Sequence, residues 1–223
     1  MNKKETLLSK WCDQAWLYCV YGLGIIMLNV LIWNWYSWDT PQKLMCGLAI
    51  LVTVHIFEEN TLPGGFAYMN NIGQKSAAPL VYPQNRLTNM WTNLGATILF
   101  IVLTFFAPQI PAICVTVVTI FGVAECIHHT KDGINMYKRY KDKGKKTIYG
   151  PGLINSYVGL LQLSVIGLKW ILENKYQFSD FAFGLLIIVC VMVFGILIPF
   201  AISRKIKSQR FAFKDKGYFT KFE

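Results

Sequence analysis

The chain has 223 residues, 54% of them hydrophobic and only 15% charged, with a net charge of +10. A mean hydropathy of +0.38 excludes a disordered or purely water-soluble chain and points to membrane segments. The positive charge falls in separate clusters without a nucleic-acid-binding motif, so a nucleic-acid partner is excluded as well.

Six apolar runs of roughly bilayer-spanning length follow in order: 15–35, 43–60, 88–107, 110–130, 152–172 and 181–203. The expected fold class is therefore all-α, an integral membrane bundle of six transmembrane helices. One transmembrane domain covers 1–203, and a basic cytoplasmic tail covers 204–223. The first run is longer than the apolar core of a signal peptide and has no small-residue cleavage site after it, so it is expected to stay in the membrane. Trp33, Trp35, Tyr36 and Trp38 behind it read as an outer-interface aromatic belt. With both termini inside, 19 of the 22 Lys and Arg residues fall on the cytoplasmic face, leaving only Lys43, Lys169 and Lys175 outside. The inner set includes Lys3 and Lys4, a dense run over 131–148 and the tail. This asymmetry sets the orientation, and the 131–148 run is expected to be a solvated loop facing the lipid headgroups. The expected partners are membrane lipids and a lipid-like or membrane-associated substrate. The six cysteines are scattered and form no CxxC. They read as small packing residues and not as a disulfide or thiolate-zinc framework, with Cys126 notable for its place between Glu125 and His128.

All three histidines lie in two short motifs within apolar runs. The first is His55-Ile-Phe-Glu58-Glu59 and the second Glu125-Cys-Ile-His128-His129. The i, i+3 and i+4 spacing puts each set on one helix face. Ionisable groups at membrane depth are costly and call for partners. Runs 43–60 and 110–130 point the same way, so both motifs fall in the last turns of their helices, at one depth on the cytoplasmic side. A helix C-terminus disfavours clustered carboxylates, and a bound cation removes that cost. Imidazole with carboxylate suits a divalent metal, Zn or Fe foremost, as one or two ions. The metal candidates are His55, Glu59, Glu125 and His128, with His129 close behind. Glu58 is the candidate general base, although spacing alone does not separate Glu58 from Glu59. Tyr149 could bring a phenol to the site. Asn89, Asn93 and Asn155 are supporting polar residues at the same level, the first two read chiefly as interhelical hydrogen-bonding groups. The Pro63-Gly64-Gly65 turn follows the first motif, and Pro151 is placed to open a helix.

His55-x-x-Glu58-Glu59, a later histidine at His128 or His129, and Tyr149-x-Pro151-Gly152 together resemble the HXXEE-domain family. The resemblance implies a small bacterial protein of the cell membrane and adds weight to the site, but it implies no reaction. The leading functional expectation is a metal-dependent intramembrane hydrolase, with an oxidative two-metal enzyme as the narrower option. Membrane hydroxylases and desaturases use many more than three histidines. A metal-free glutamate/histidine intramembrane protease is the second enzymatic reading, suggested by the Glu58-Glu59 pair. The arginine expected after such a pair is missing, with Gly64, Gly65 and Phe66 in that region. A metal-ion or proton transporter or sensor is the third. It is disfavoured by a site displaced toward one face and by the lack of an internal repeat.

Overall fold

The computed structural model describes residues 6–223. Among them seven helices define the architecture. Six are long and apolar enough to cross a membrane: α1 (Leu7–Trp33), α2 (Thr40–Asn60), α4 (Arg86–Phe106), α5 (Pro111–Tyr140), α6 (Leu153–Glu173) and α7 (Phe178–Ile206). The seventh, α3 (Phe66–Gly73), is a short helix in the connection after α2. The six expected spans are thus present. Lys3 and Lys4 lie outside the described residues.

Local chemistry accounts for the helix ends. The Asp39 carboxylate accepts from Gln42 N at the start of α2, with Pro41 in the first turn. Asn85 and Thr88 form a reciprocal capping box at the start of α4. Pro111 opens α5. A wide π turn at Ser156–Leu160 interrupts the first part of α6.

Helix α2 is the most enclosed of the six and α7 the least. Around α2 the core joins Trp16 and Val20 of α1, Met45, Leu48 and Ile56 of α2, Phe100 of α4, Val115 of α5 and Leu160 of α6. Lipid is as apolar as these side chains, so close contact and not water exclusion favours association. Gly122 shows how close α5 and α6 come. A methyl there would meet the Leu160 carbonyl and the Ser164 hydroxyl.

One basic segment departs from expectation. The 131–148 stretch is not simply a loop, because α5 runs on to Tyr140. The physical reason is a buried stripe, Asp132, Gly133, Met136 and Tyr140, at helical spacing. Met136 and Tyr140 join a second core with Tyr68 and Met69 of α3 and with Phe219 and Phe222 of the tail. The tail itself folds back on this end of the bundle. Phe213 N donates to Leu80 O and Tyr218 N to Gly64 O. Gly65 allows this close approach. At φ +99°, a methyl on it would stand 3.0 Å from Tyr218 N and closer to the Lys216 carbonyl. Lys145 is likewise not solvated. It is 2% exposed, its ammonium donates to Tyr149 O, and it lies over the rings of Tyr218, Phe219 and Phe222 at 4.9–5.7 Å. Burial, and secondarily Lys221, pulls its pKa down to about 8.

Candidate metal centre

The two motifs meet where α2 and α5 lie side by side. The His55 and His129 Nε2 atoms are 3.0 Å apart. Glu59 Oε1 lies 3.3 Å from each of them. Glu125 Oε2 lies 3.4 Å from His129 Nε2 and 3.7 Å from His55 Nε2. Each helix supplies an imidazole and a carboxylate at i, i+4, in opposite order along the chain, so the pairs face each other. His55, Glu59 and His129 are 5%, 4% and 0% exposed, while the Glu125 side chain is 27% exposed.

These distances have a chemical meaning. Ligand atoms 2.0–2.1 Å from one tetrahedral ion stand about 3.3–3.4 Å from each other. The three separations within His55, Glu59 and His129, at 3.0, 3.3 and 3.3 Å, lie near that edge, and Glu125 stands outside this closed group. Two carboxylates and two neutral imidazoles also balance one divalent ion, leaving no net charge to bury. His55, Glu59 and His129 form a group that could hold a metal ion. Neither His55 Nδ1 nor His129 Nδ1 finds a hydrogen-bond partner among the described residues. The Nε2 atoms are therefore the ones turned toward other donors, without the outer acceptor that often fixes a ligating histidine.

The other expected site residues have different surroundings. His128 is not brought into the cluster. It points aside, is 47% exposed, and pairs with Asp132 Oδ2 at 3.3 Å. Glu58 faces the start of α6, where its two carboxylate oxygens accept from Ile154 N at 3.2 Å and Asn155 N at 2.9 Å. It therefore caps that helix terminus, where an anion is favoured. Tyr149 stands beside Glu58, and burial first and that charge second raise its phenol pKa. Its ring meets Tyr218 edge-on. Asn89 is a hub, donating to Asn60 Oδ1 at 2.6 Å and accepting from Gln84 and Asn93 at 2.8 and 2.9 Å. It thereby fixes the residue next to Glu59. Asn93 also donates to Asn89 O. Asn155 gives its backbone N–H to Glu58, and its buried Oδ1 has no partner among the described residues. Cys126 is buried outside the cluster.

One residue of the Tyr149-x-Pro151-Gly152 segment acts directly on the cluster. Gly152 adopts φ +92° and packs flat against the His129 ring. A methyl there would fall 2.7 Å from His129 Nδ1 and closer to Cε1. Phe66 covers the same ring, with centroids 5.0 Å apart. Neither contact has a signal in spacing, because both partners are remote in sequence.

Fold and site together define a multi-pass membrane-type helical bundle enclosing an imidazole–carboxylate cluster. No family model, curated protein or solved structure matches the chain.

Proposed function

We propose that the chain is a metal-dependent hydrolase of the HXXEE-domain type, acting on a lipid-like or membrane-associated substrate at the cytoplasmic leaflet. The observation that carries this reading is the buried His55–Glu59–His129 group, whose donor atoms lie 3.0–3.3 Å apart. His55, Glu59 and His129 would hold one divalent ion, zinc or iron, in the His₂Glu pattern of catalytic sites. Such an ion lowers the pKa of a water and polarises a carbonyl. Glu125, the outlying and more accessible member, would take the proton from that water as its oxygen adds to the carbonyl carbon of an ester or amide. The same carboxyl would then return the proton to the leaving group as the acyl–heteroatom bond breaks. Glu58 has no part in this chemistry, since its oxygens are engaged by α6. Three mutually close donor atoms suit one ion, which favours hydrolysis over two-metal oxidation.

Elemental analysis of purified full-length protein tests the assignment. The native protein should carry about one equivalent of metal. His55→Ala and His129→Ala should lose it, and His128→Ala should keep it. Glu125→Gln should keep a metal but lose turnover. Metal retained in both cluster variants, or lost equally from His128→Ala, would refute the ligand set.

A further inference from the structure

The outer edge of the His129 ring is held by packing and not by a polar partner. Its Nδ1 has no hydrogen bond among the described residues, whereas a ligating imidazole is usually fixed by a bond from its second nitrogen to an acceptor. Two walls take that role. On one side Phe66, the first residue of α3, covers the ring, with centroids 5.0 Å apart and planes 36° from parallel. On the other, Gly152 lies so close that a methyl on it would stand 2.7 Å from His129 Nδ1. Both walls are backed by the same piece of the folded-back tail. Behind Phe66, Tyr218 N donates to Gly64 O at 3.1 Å, and Gly217 packs on the backbone of Gly65. Behind Gly152, the Tyr218 ring meets Tyr149 edge-on at 5.1 Å. The fully buried Phe219 ring lies next to Gly150, its Cζ 4.0 Å from where a Gly150 methyl would stand. Lys145 joins the two layers, since its ammonium donates to Tyr149 O while lying over the Tyr218 and Phe219 rings. The far end of this strap is fixed by Glu58, which accepts from Ile154 N and Asn155 N.

We propose that Tyr218 and Phe219 are positioning residues for the metal centre: the tail holds the two walls between which His129 stands, and so sets how tightly the centre keeps an ion. The inference rests on the metal-centre reading and adds to it a segment outside the membrane-spanning helices. A metal–ligand distance tolerates only about 0.2 Å, so a ring steered by contact needs walls that do not yield. Neither wall is stiff by itself. Phe66 opens a short helix entered through Gly64 and Gly65, both at positive φ. Gly152 ends an irregular segment between Gly144 and α6. The tail gives both a common support, and it is anchored in turn away from the cluster. Arg86 donates to Ala212 O and Arg210 O, and Phe213 N donates to Leu80 O. Lifting residues 217–219 would leave α2 and α5 packed as before but free the His129 ring to turn.

The test measures zinc affinity of the full-length protein in lipid nanodiscs against a chromogenic chelator, with helical circular dichroism as the check on the bundle. Phe219→Ala and Tyr218→Ala should each lower the affinity at least about tenfold, the lower end of the effect of a lost outer-shell contact. Lys214→Ala is the tail control. Its ammonium pairs with Asp13 of α1 and touches neither wall, so affinity should be unchanged. A double variant separates positioning from general loosening of the fold. In a Gly152→Ala background the His129 ring is already displaced, so adding Tyr218→Ala or Phe219→Ala should change affinity by less than about twofold, where independent effects would multiply. Should Phe219→Ala lose its helical signal, Tyr218→Ala, whose ring is only partly buried, decides the matter. Unchanged affinity in the aromatic variants, an equal loss in Lys214→Ala, or multiplied losses in the double variants would overturn this inference and leave the metal reading standing. A native protein that binds no zinc would overturn both.

Discussion

Gly152→Ala isolates the link between the YxPG segment and the cluster. The substitution asks two things of the structure. First, residue 152 sits at φ +92°, where a side chain adds roughly 1–2 kcal/mol of backbone strain. Second, the new methyl would lie 2.7 Å from His129 Nδ1 and closer to Cε1. Because the ring is fully buried beneath Phe66, it has to retreat by about 1 Å to restore ordinary contact, against the roughly 0.2 Å that a metal bond tolerates. Ligation by His129 should therefore fail while the bundle survives. We expect zinc affinity, measured against a chromogenic chelator in nanodiscs, to fall at least about 100-fold, the upper end of the effect of a lost outer-shell contact. The helical circular dichroism should be kept. Gly150→Ala is the matched control. Its methyl would press on the Met69 thioether at 2.6 Å, a flexible side chain, touch Phe219 Cζ at 4.0 Å, and meet no atom of the cluster, so affinity should be unchanged. Unaltered affinity in Gly152→Ala, or an equal loss in both variants, would refute the argument that Gly152 positions His129.

Two further outcomes follow from groups around the cluster. Glu58→Gln removes a charged acceptor from the first turn of α6 and should lower stability by about 1–2 kcal/mol with metal content unchanged, as thermal unfolding and elemental analysis would show. Loss of the metal instead would place Glu58 among the ligands. Lys145 has a folded pKa of about 8 against an ordinary 10.5, so the unfolded chain binds the extra proton between those values. Its charge therefore opposes folding fully below pH 8, and stability should rise as pH climbs from 8 toward 10.5, by up to about 3 kcal/mol. Lys145→Met should abolish that rise in a thermal-shift series, and an identical pH profile would show that Lys145 is not the group responsible.

The spans were legible as apolar runs, because a bilayer demands length and hydropathy that no soluble helix needs. The meeting of the two motifs was legible too, since period and span direction alone put them on facing helices at one depth. The choice between His128 and His129 was not. Neighbouring residues on a helix differ by about 100°, and both can follow Glu125 on one broad face. The signal that separates them is the mirrored i, i+4 pair, His55–Glu59 against Glu125–His129. The same ambiguity hid the split between Glu58, turned to α6, and Glu59, turned to the cluster. The run of α5 past residue 130 and the burial of Lys145 depend on Phe219 and Phe222, more than 70 positions away. No local pattern reports such partners.

The cluster draws two donor atoms from each of two helices, and its histidines are 74 positions apart in the chain. An ion held there would act as a cross-link as well as a reagent. Closing a loop of that length in the unfolded chain is worth about 4 kcal/mol on the entropy scale used for disulfides. All six cysteines are free, so the imidazoles and carboxylates would supply the chain with its one covalent-like tie, reversible by a chelator. Occupancy of the centre would then add to the stability of a bundle that its helix packing already holds together.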